Sequence, residues 1–166
     1  SIDGDQDTHD RIRGSGTFER IKDNLASLKE SCVEQSGIMP LLSMNFCVSE
    51  HVMPSDIPKA YEVAKELGFF SINYGLLWFV TEEAGHEYER QLREEFQITA
   101  SECWKALRCD LSSFDADGVA EAIGKVKTNL ASRLRLPYVS TMPRDARSLQ
   151  HIKRHFLEHS YSFDRR

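Results

Sequence analysis

Three segments of the sequence carry polar residues two positions apart, and this alternation constrains the fold more than any other feature. The pairs are Ser1 with Asp3, Ser43 with Asn45, and Ser71 with Asn73. Side chains two apart on a β-strand lie on one face of its sheet. Each segment is therefore predicted to be a strand with one polar and one apolar face, and the apolar faces must pack against helices.

Helical patterns alternate with these strands along the chain. The predicted elements are a strand at residues 1–3, a helix at 17–30, a strand at 41–49, a helix at 55–68, a strand at 70–80, helices at 82–95 and 101–107, a long helix capped by Asp115, a strand at 137–141, and a last helix capped by Asp145 or Ser148. Such alternation indicates a parallel sheet. We expect one α/β domain over residues 1–166, a fragment of a TIM-type (β/α) barrel whose parallel strands have outer helices. Its sheet is expected to be open, with an exposed edge beside residues 1–3.

The polar strand faces predict a ligand. A TIM barrel normally fills its interior with valine, isoleucine and leucine side chains. Hydroxyl, amide and carboxylate groups are costly to bury unless they are hydrogen-bonded. The polar interior therefore indicates a cavity for a polar ligand, and the alternative is that these groups bond one another or ordered water.

Charge, apolar run length and cysteine spacing bound the possible functions. The net charge of −5 argues against a nucleic-acid surface, which is usually basic. The longest apolar run, residues 74–80, is too short to span a bilayer, so a membrane partner is not expected. The four cysteines form no C-x-x-C spacing, which favours reduced structural thiols in a cytoplasmic protein. The alternative is a metal-ligand set completed by residues outside the chain.

The segment after the first strand holds several candidate site residues. Gly4 permits a turn directly after Asp3. Arg13 is a candidate for binding a carboxylate or phosphate through two hydrogen bonds, and the alternative is a solvated turn residue. His9 and Asp10 offer an acid–base pair. Adjacent side chains rarely face each other, so we expect Asp10 to cap a turn instead.

Residues 1–28, with S-I-D-G, H-D-R-I-R-G-S-G-T-F and the helix that follows, resemble the fourth strand and fourth helix of radical S-adenosylmethionine (radical SAM) enzymes with a C-terminal SPASM-type extension. The resemblance continues through residues 42–50, 60–68 and 77–81, and residues 151–166 resemble the lead-in to the extension. It implies a partial (β/α)6 barrel, bound S-adenosylmethionine and a [4Fe-4S] cluster. It further implies a reductant such as flavodoxin or ferredoxin, and a 5′-deoxyadenosyl radical that abstracts hydrogen from a small-molecule or peptide substrate.

The chain also departs from that family. The three cluster cysteines and the glycine-rich second-strand motif are absent, so the resemblance implies the C-terminal part of a barrel whose cluster ligands lie outside this chain. The chain alone is then expected to be inactive, with no metal ligand and no assignable catalytic residue. The resemblance assigns these residues to cofactor binding: Ser1 and Asp3 to the ribose or amino acid part, Arg13 to the carboxylate, and Asn45, Leu76 and Leu77 to the ribose and adenine.

Two other functions stay open at this point. One is a non-catalytic fragment that binds S-adenosylmethionine or a partner. The other is an unrelated β/α-barrel enzyme that uses Asp3 and His9 as acid and base. A C-x-x-x-C-x-x-C motif upstream of Ser1 would decide for the radical enzyme.

Overall fold

The structure, a computed structural model, describes residues 1–35, 37–77, 79–99, 102–108, 110–129, 136–142, 150–152 and 154. Its elements in chain order are α1 (Gln6–Arg13), α2 (Thr17–Gln35), β1 (Ser43–Val48), α3 (Asp56–Glu66), β2 (Ser71–Leu76), α4 (Glu82–Phe96), a 3₁₀ helix (Glu102–Leu107), α5 (Ala116–Asn129) and β3 (Tyr138–Met142). Within these described ranges, every helix is too short or too polar to cross a bilayer.

The three strands form one parallel sheet in the order β1-β2-β3. Ser43 is level with Ser71, and Asn45 is level with Asn73. Asn73 is in turn level with Ser140 on β3. The α/β class and the parallel sheet predicted from the alternation are confirmed. Among the described residues the sheet is an open three-stranded one, and closure into a TIM barrel is not shown.

The apolar face of the sheet is the core of the domain. Strict alternation puts Met44, Phe46 and Val48 of β1 on one side, where all three are buried. The equivalent buried residues of the next two strands are Ile72, Tyr74, Leu76 and Val139. Helices supply the other wall of this core through Ile57, Ala60 and Ala64 of α3, Val119 and Ile123 of α5, and Phe18 of α2.

Tyr74 shows how closely the sheet and α3 are joined. Its hydroxyl donates to the backbone oxygen of Ile57 at 2.7 Å, which satisfies the polar atom that burial would otherwise leave unpaired. Its ring meets that of Phe46 edge-on at 5.6 Å. Burial raises the pKa of this phenol, so it stays protonated and continues to donate.

The N-terminal segment differs from the prediction. Residues 1–3 are not a strand, although the Ile2 N–H donates to the Asn45 oxygen at 3.2 Å and so lies along the free edge of β1. No helix or strand was predicted between residues 3 and 17, where the structure has the helix α1 (Gln6–Arg13). Asp5 begins this helix by accepting the Thr8 N–H, and Gly14 ends it with a φ of 105°. A side-chain cap and a terminal glycine are typical helix boundaries.

Other helix and strand boundaries differ from the predicted ones by several residues. The helix predicted at 17–30 continues to Gln35, while the strands predicted at 41–49 and 70–80 are shorter, at Ser43–Val48 and Ser71–Leu76. Asp115 caps α5 by accepting the Gly118 N–H at 2.8 Å, as predicted. The proposed caps Asp145 and Ser148 lie outside the described residues. Ile152 of the last predicted helix is buried, as its apolar pattern requires.

Candidate functional site: the polar sheet face

The side of the sheet opposite the core carries a row of small polar side chains, which we call the polar sheet face. It comprises Ser43, Asn45, Ser71, Asn73 and Ser140. Ser71 donates to Ser43 at 2.8 Å. One register step further, Asn73 donates to Asn45 at 3.3 Å and accepts from Ser140 at 3.0 Å. Asn45, Asn73 and Ser140 therefore form a hydrogen-bonded row across all three strands, beside the separate pair of Ser43 and Ser71.

This surface retains unused hydrogen-bonding capacity. Ser43 and Asn45 are exposed, and Ser71, Asn73 and Ser140 are half-buried. An asparagine amide has two donor hydrogens and an acceptor oxygen with two lone pairs. Of these, Asn45 uses one lone pair within the row. Donors and acceptors are thus available to a polar ligand lying on the sheet.

A hollow of about 870 Å³ adjoins the row at the outer edge of β3. Its walls include Asn73 and Ser140 from the polar sheet face, together with Lys127 and Thr141. Sites for small molecules usually measure roughly 300–1,000 Å³. The hollow is therefore large enough for a ligand of cofactor size, although it is open to solvent along the strand.

Asp3 and Arg13 form an ion pair beside the opposite edge of the polar sheet face. The Arg13 Nε donates to Asp3 Oδ2 at 2.6 Å and its Nη2 donates to Oδ1 at 3.4 Å. The Asp3 side chain is 5% exposed and that of Arg13 is 50% exposed. The hydrogen bonds that Arg13 donates to Asp3, and the negative charge of that carboxylate, raise the pKa of Arg13, so the guanidinium remains a permanent cation. The predicted binding of a ligand carboxylate by Arg13 stays a prediction. In this structure the Asp3 carboxylate already accepts hydrogen bonds from the Nε and Nη2 atoms of Arg13.

His9 lies beneath Asp3 and is 2% exposed. The Asp3 N–H donates to His9 Nδ1 at 3.1 Å, so this nitrogen is an acceptor and the imidazole is neutral with its proton on Nε2. Burial lowers the pKa of His9, and the carboxylates of Asp3 and Asp10 oppose that shift in part. A buried imidazole with this nitrogen occupied is poorly placed to exchange protons with a ligand. The hypothesis that Asp3 and His9 act as acid and base therefore loses its support.

The burial of His9 predicts a pH dependence of stability. Because the pKa of His9 is lower in the folded than in the unfolded protein, the unfolded state binds more protons. The free energy of unfolding should therefore fall as the pH decreases from about 7 to about 5, through the ordinary histidine range. Urea unfolding at the two pH values measures this. His9→Asn, which cannot titrate, should reduce the difference, and an unchanged difference would assign the effect to other groups.

Cys47 connects the ion pair to the polar sheet face. It follows Asn45 by two residues on β1 and so shares its side of the strand. Burial raises the pKa of this thiol, Asp3 adds to the rise and Arg13 opposes it. Cys47 is therefore a protonated thiol and not a thiolate. Across the described residues, no three His, Cys, Asp or Glu side chains come together in a group able to hold a metal ion.

Asp10 has a structural role, as predicted. Its carboxylate accepts the Gly16 and Phe18 N–H groups, each at 2.8 Å, and the Thr17 hydroxyl at 3.1 Å. These bonds cap the N-terminus of α2 and lower the pKa of Asp10. Asp10 thus links α1 to the start of α2 through side-chain hydrogen bonds.

The structure distributes the predicted cofactor residues unevenly. Asp3, Arg13 and Asn45 lie together at the β1 edge of the polar sheet face, and Ser1 is exposed beside them in sequence. Leu76 requires a correction: its side chain is 3% exposed and belongs to the core on the helix side of the sheet. Strand alternation puts it opposite Asn73 and Asn45, so it cannot flank a ligand there. Leu77 is half-buried, and its N–H donates to the Val48 oxygen at 2.9 Å.

Sequence reasoning missed one member of the site, Ser140, and one contact, that of His9 with Asp3. Ser140 lay within a predicted strand, but its neighbours at the same spacing are Tyr138 and Met142, so no polar pair drew attention to it. Its register opposite Asn73 follows only from the sheet pairing. The contact of His9 with the Asp3 backbone depends on α1, a helix that was not predicted from the sequence.

Comparisons with protein-family models, with curated proteins and with solved structures found no match to this chain.

Proposed function

We propose that the polar sheet face binds S-adenosylmethionine, and that the chain contributes the later strands of a radical S-adenosylmethionine barrel. The observation that supports this most strongly is the continuous polar row across three parallel strands, with every helix-facing residue of β1 and β2 apolar and buried. In a barrel, that row would line the interior. A barrel without a ligand would be expected to fill such an interior with aliphatic side chains.

The chemistry of the row and its edge suits a charged nucleoside. Serine hydroxyls and asparagine amides both donate and accept hydrogen bonds, as ribose hydroxyls and adenine nitrogens require. The Asp3 carboxylate supplies an acceptor of negative charge, and the Arg13 guanidinium supplies donors with positive charge. Opposite charges side by side match the ammonium and carboxylate of an amino acid moiety. Asp3, Arg13 and Asn45 would hold that ligand, while Leu76 would serve only as core.

The iron–sulfur cluster of the proposed family does not fit the described residues of this chain. No group of metal-ligating side chains exists among them, and Cys47, which lies nearest to the polar sheet face, is a protonated thiol beside a carboxylate. The proposal therefore assigns the cluster cysteines to a polypeptide segment other than residues 1–166. A cluster held by such a segment would supply the electron for reductive cleavage of S-adenosylmethionine.

A second function is compatible with the same surface. The chain could bind S-adenosylmethionine or a partner without any chemistry. The two functions share the polar sheet face and differ in whether bound S-adenosylmethionine is cleaved.

Cleavage is tested in an assembled protein. The chain is joined to an N-terminal segment carrying C-x-x-x-C-x-x-C, loaded with iron and sulfide without oxygen, and given S-adenosylmethionine and dithionite. We expect 5′-deoxyadenosine by liquid chromatography, and none when the three motif cysteines are changed to alanine. Binding without 5′-deoxyadenosine would support the non-catalytic function. Absence of both binding and product would reject the proposal.

A further inference from the structure

We propose that His9 is the positioning residue of the site: by holding the backbone of Asp3, it fixes the Arg13 guanidinium at the β1 edge of the polar sheet face, ready for a ligand carboxylate. The positioning of Arg13 is a property of this chain alone. The inference that Arg13 binds a ligand carboxylate rests on the proposed function.

The helix α1 places two of its residues, His9 and Arg13, against Asp3. His9 and Arg13 are four residues apart on this helix and therefore lie on the same side of it. Both contact Asp3, but at different atoms. His9 accepts the Asp3 N–H at 3.1 Å, and Arg13 donates to the Asp3 carboxylate at 2.6 Å. One helix thus holds both the main chain and the side chain of a single residue.

The backbone around Asp3 needs such a contact. Ile2 is held on β1 through its N–H to the Asn45 oxygen, but Gly4 directly after Asp3 has a φ of 129° and the chain turns away from the sheet. Asp3 is buried, so its N–H requires an acceptor inside the protein. His9 Nδ1 is that acceptor. Without it, the Asp3 N–H would lose its partner and the chain would have to shift to find water.

The position of the Arg13 guanidinium depends on Asp3 because the Arg13 side chain itself is half-exposed to solvent. A long side chain in water samples many rotamers, and ordering it costs conformational entropy. The Asp3 carboxylate selects one position by accepting from two of the five guanidinium N–H groups, at Nε and Nη2. The other three N–H groups remain for a ligand. A displaced Asp3 would release Arg13 to solvent, and its affinity for a carboxylate would fall.

The aromatic contact of His9 fits a positioning role. The imidazole packs edge-on against the Phe18 ring at a centroid distance of 5.9 Å, so α2 fixes the ring plane from the other side. The charged groups that act on His9 are Asp3, Asp10, Arg13 and the N-terminal amine. The hydrogen bond from the Asp3 N–H to His9 Nδ1 forms with a neutral imidazole, so it does not depend on a charge on His9.

The test compares two substitutions by nuclear magnetic resonance and by titration. His9→Asn keeps an acceptor near the position of Nδ1, whereas His9→Leu keeps apolar bulk and removes the acceptor. In the wild-type chain, ¹⁵N spectra should show a neutral imidazole protonated on Nε2, and a protected Arg13 Nε–H resonance. That resonance should persist in His9→Asn and disappear in His9→Leu. The affinity for S-adenosylmethionine should change less than about threefold in His9→Asn and fall about tenfold or more in His9→Leu.

Each outcome decides a separate claim. A protected Arg13 resonance in a folded His9→Leu chain, equal losses in both variants, or a wild-type imidazole protonated on Nδ1 would overturn the role of His9. If His9→Leu does not fold, the wild-type imidazole spectrum and the His9→Asn chain still decide. If the wild-type chain binds no S-adenosylmethionine, the proposed function fails, while the Arg13 resonance continues to report on His9.

Discussion

Phe46→Ala is expected to lower the free energy of unfolding by about 3–5 kcal/mol, the usual cost of removing a buried phenylalanine ring. Phe46 is 1% exposed, contacts Tyr74 edge-on, and lies at the centre of the core between the sheet and its helices. Removing its ring takes apolar area out of the core and leaves a cavity that the surrounding strands cannot close.

The matched control is the neighbouring residue on the other face. Asn45→Ala removes a side chain that is exposed and makes one hydrogen bond, to Asn73 at 3.3 Å. We expect a loss below about 1 kcal/mol. Urea unfolding of both variants, followed by circular dichroism, measures the two values. A loss for Asn45→Ala that equals or exceeds the loss for Phe46→Ala would mean that the faces of the sheet are assigned the wrong way round.

Asn73→Leu is expected to weaken the binding of S-adenosylmethionine by about tenfold to a hundredfold, the effect of losing one or two hydrogen bonds to a polar ligand. Asn73 is the central member of the polar sheet face, since it bonds both Asn45 and Ser140. Leucine has a similar size but offers no donor or acceptor. The substitution would therefore break the row in the middle and place an apolar group where the proposed ligand would lie.

Isothermal titration of the chain with S-adenosylmethionine measures this effect. Asn24→Leu is the control, because Asn24 lies exposed on α2, away from the sheet. The control should bind as the wild-type chain does. Equal affinity in Asn73→Leu and wild type would place the ligand elsewhere on the molecule.

Periodicity predicted the sheet and its two faces because the signal is local. On β1, apolar residues alternate with polar ones or cysteine: Met44, Phe46 and Val48 with Ser43, Asn45 and Cys47. A shift of the strand by one residue would move all the apolar side chains out of the core, so only one register buries them. The cap at Asp115 was likewise readable, since a side-chain carboxylate accepts an N–H group a few residues along the chain. Asp10 was expected to cap a turn, and in the structure it caps α2 from eight residues away.

The parts that sequence reasoning missed depend on contacts between distant elements. Leu76 was assigned to the ligand by resemblance, although its alternation with Asn73 already put it on the core side. Ser140 joined the site only through its pairing with β2 across 67 residues of sequence. The helix α1 is short and mostly polar, so its apolar signal was weak and no helix was predicted there.

The partner of Arg13 is the clearest difference between pattern and structure. In sequence, a basic residue after the first strand suggested a ligand contact, whereas the folded chain puts Asp3 within 2.6 Å of it. The ion pair does not remove the ligand role, because three N–H groups of the guanidinium stay available. In the structure Arg13 contacts the Asp3 carboxylate, and His9 contacts the Asp3 backbone.

The measurement that tests the account most directly is a titration of the ¹⁵N-labelled chain with millimolar S-adenosylmethionine, following the side-chain amides. The polar sheet face as a cofactor site predicts shifts in the Asn45 and Asn73 amide resonances and in the Arg13 Nε–H, with Asn24 on α2 unchanged. No shift in Asn45 and Asn73 at saturating ligand, or shifts confined to residues away from the sheet, would contradict it.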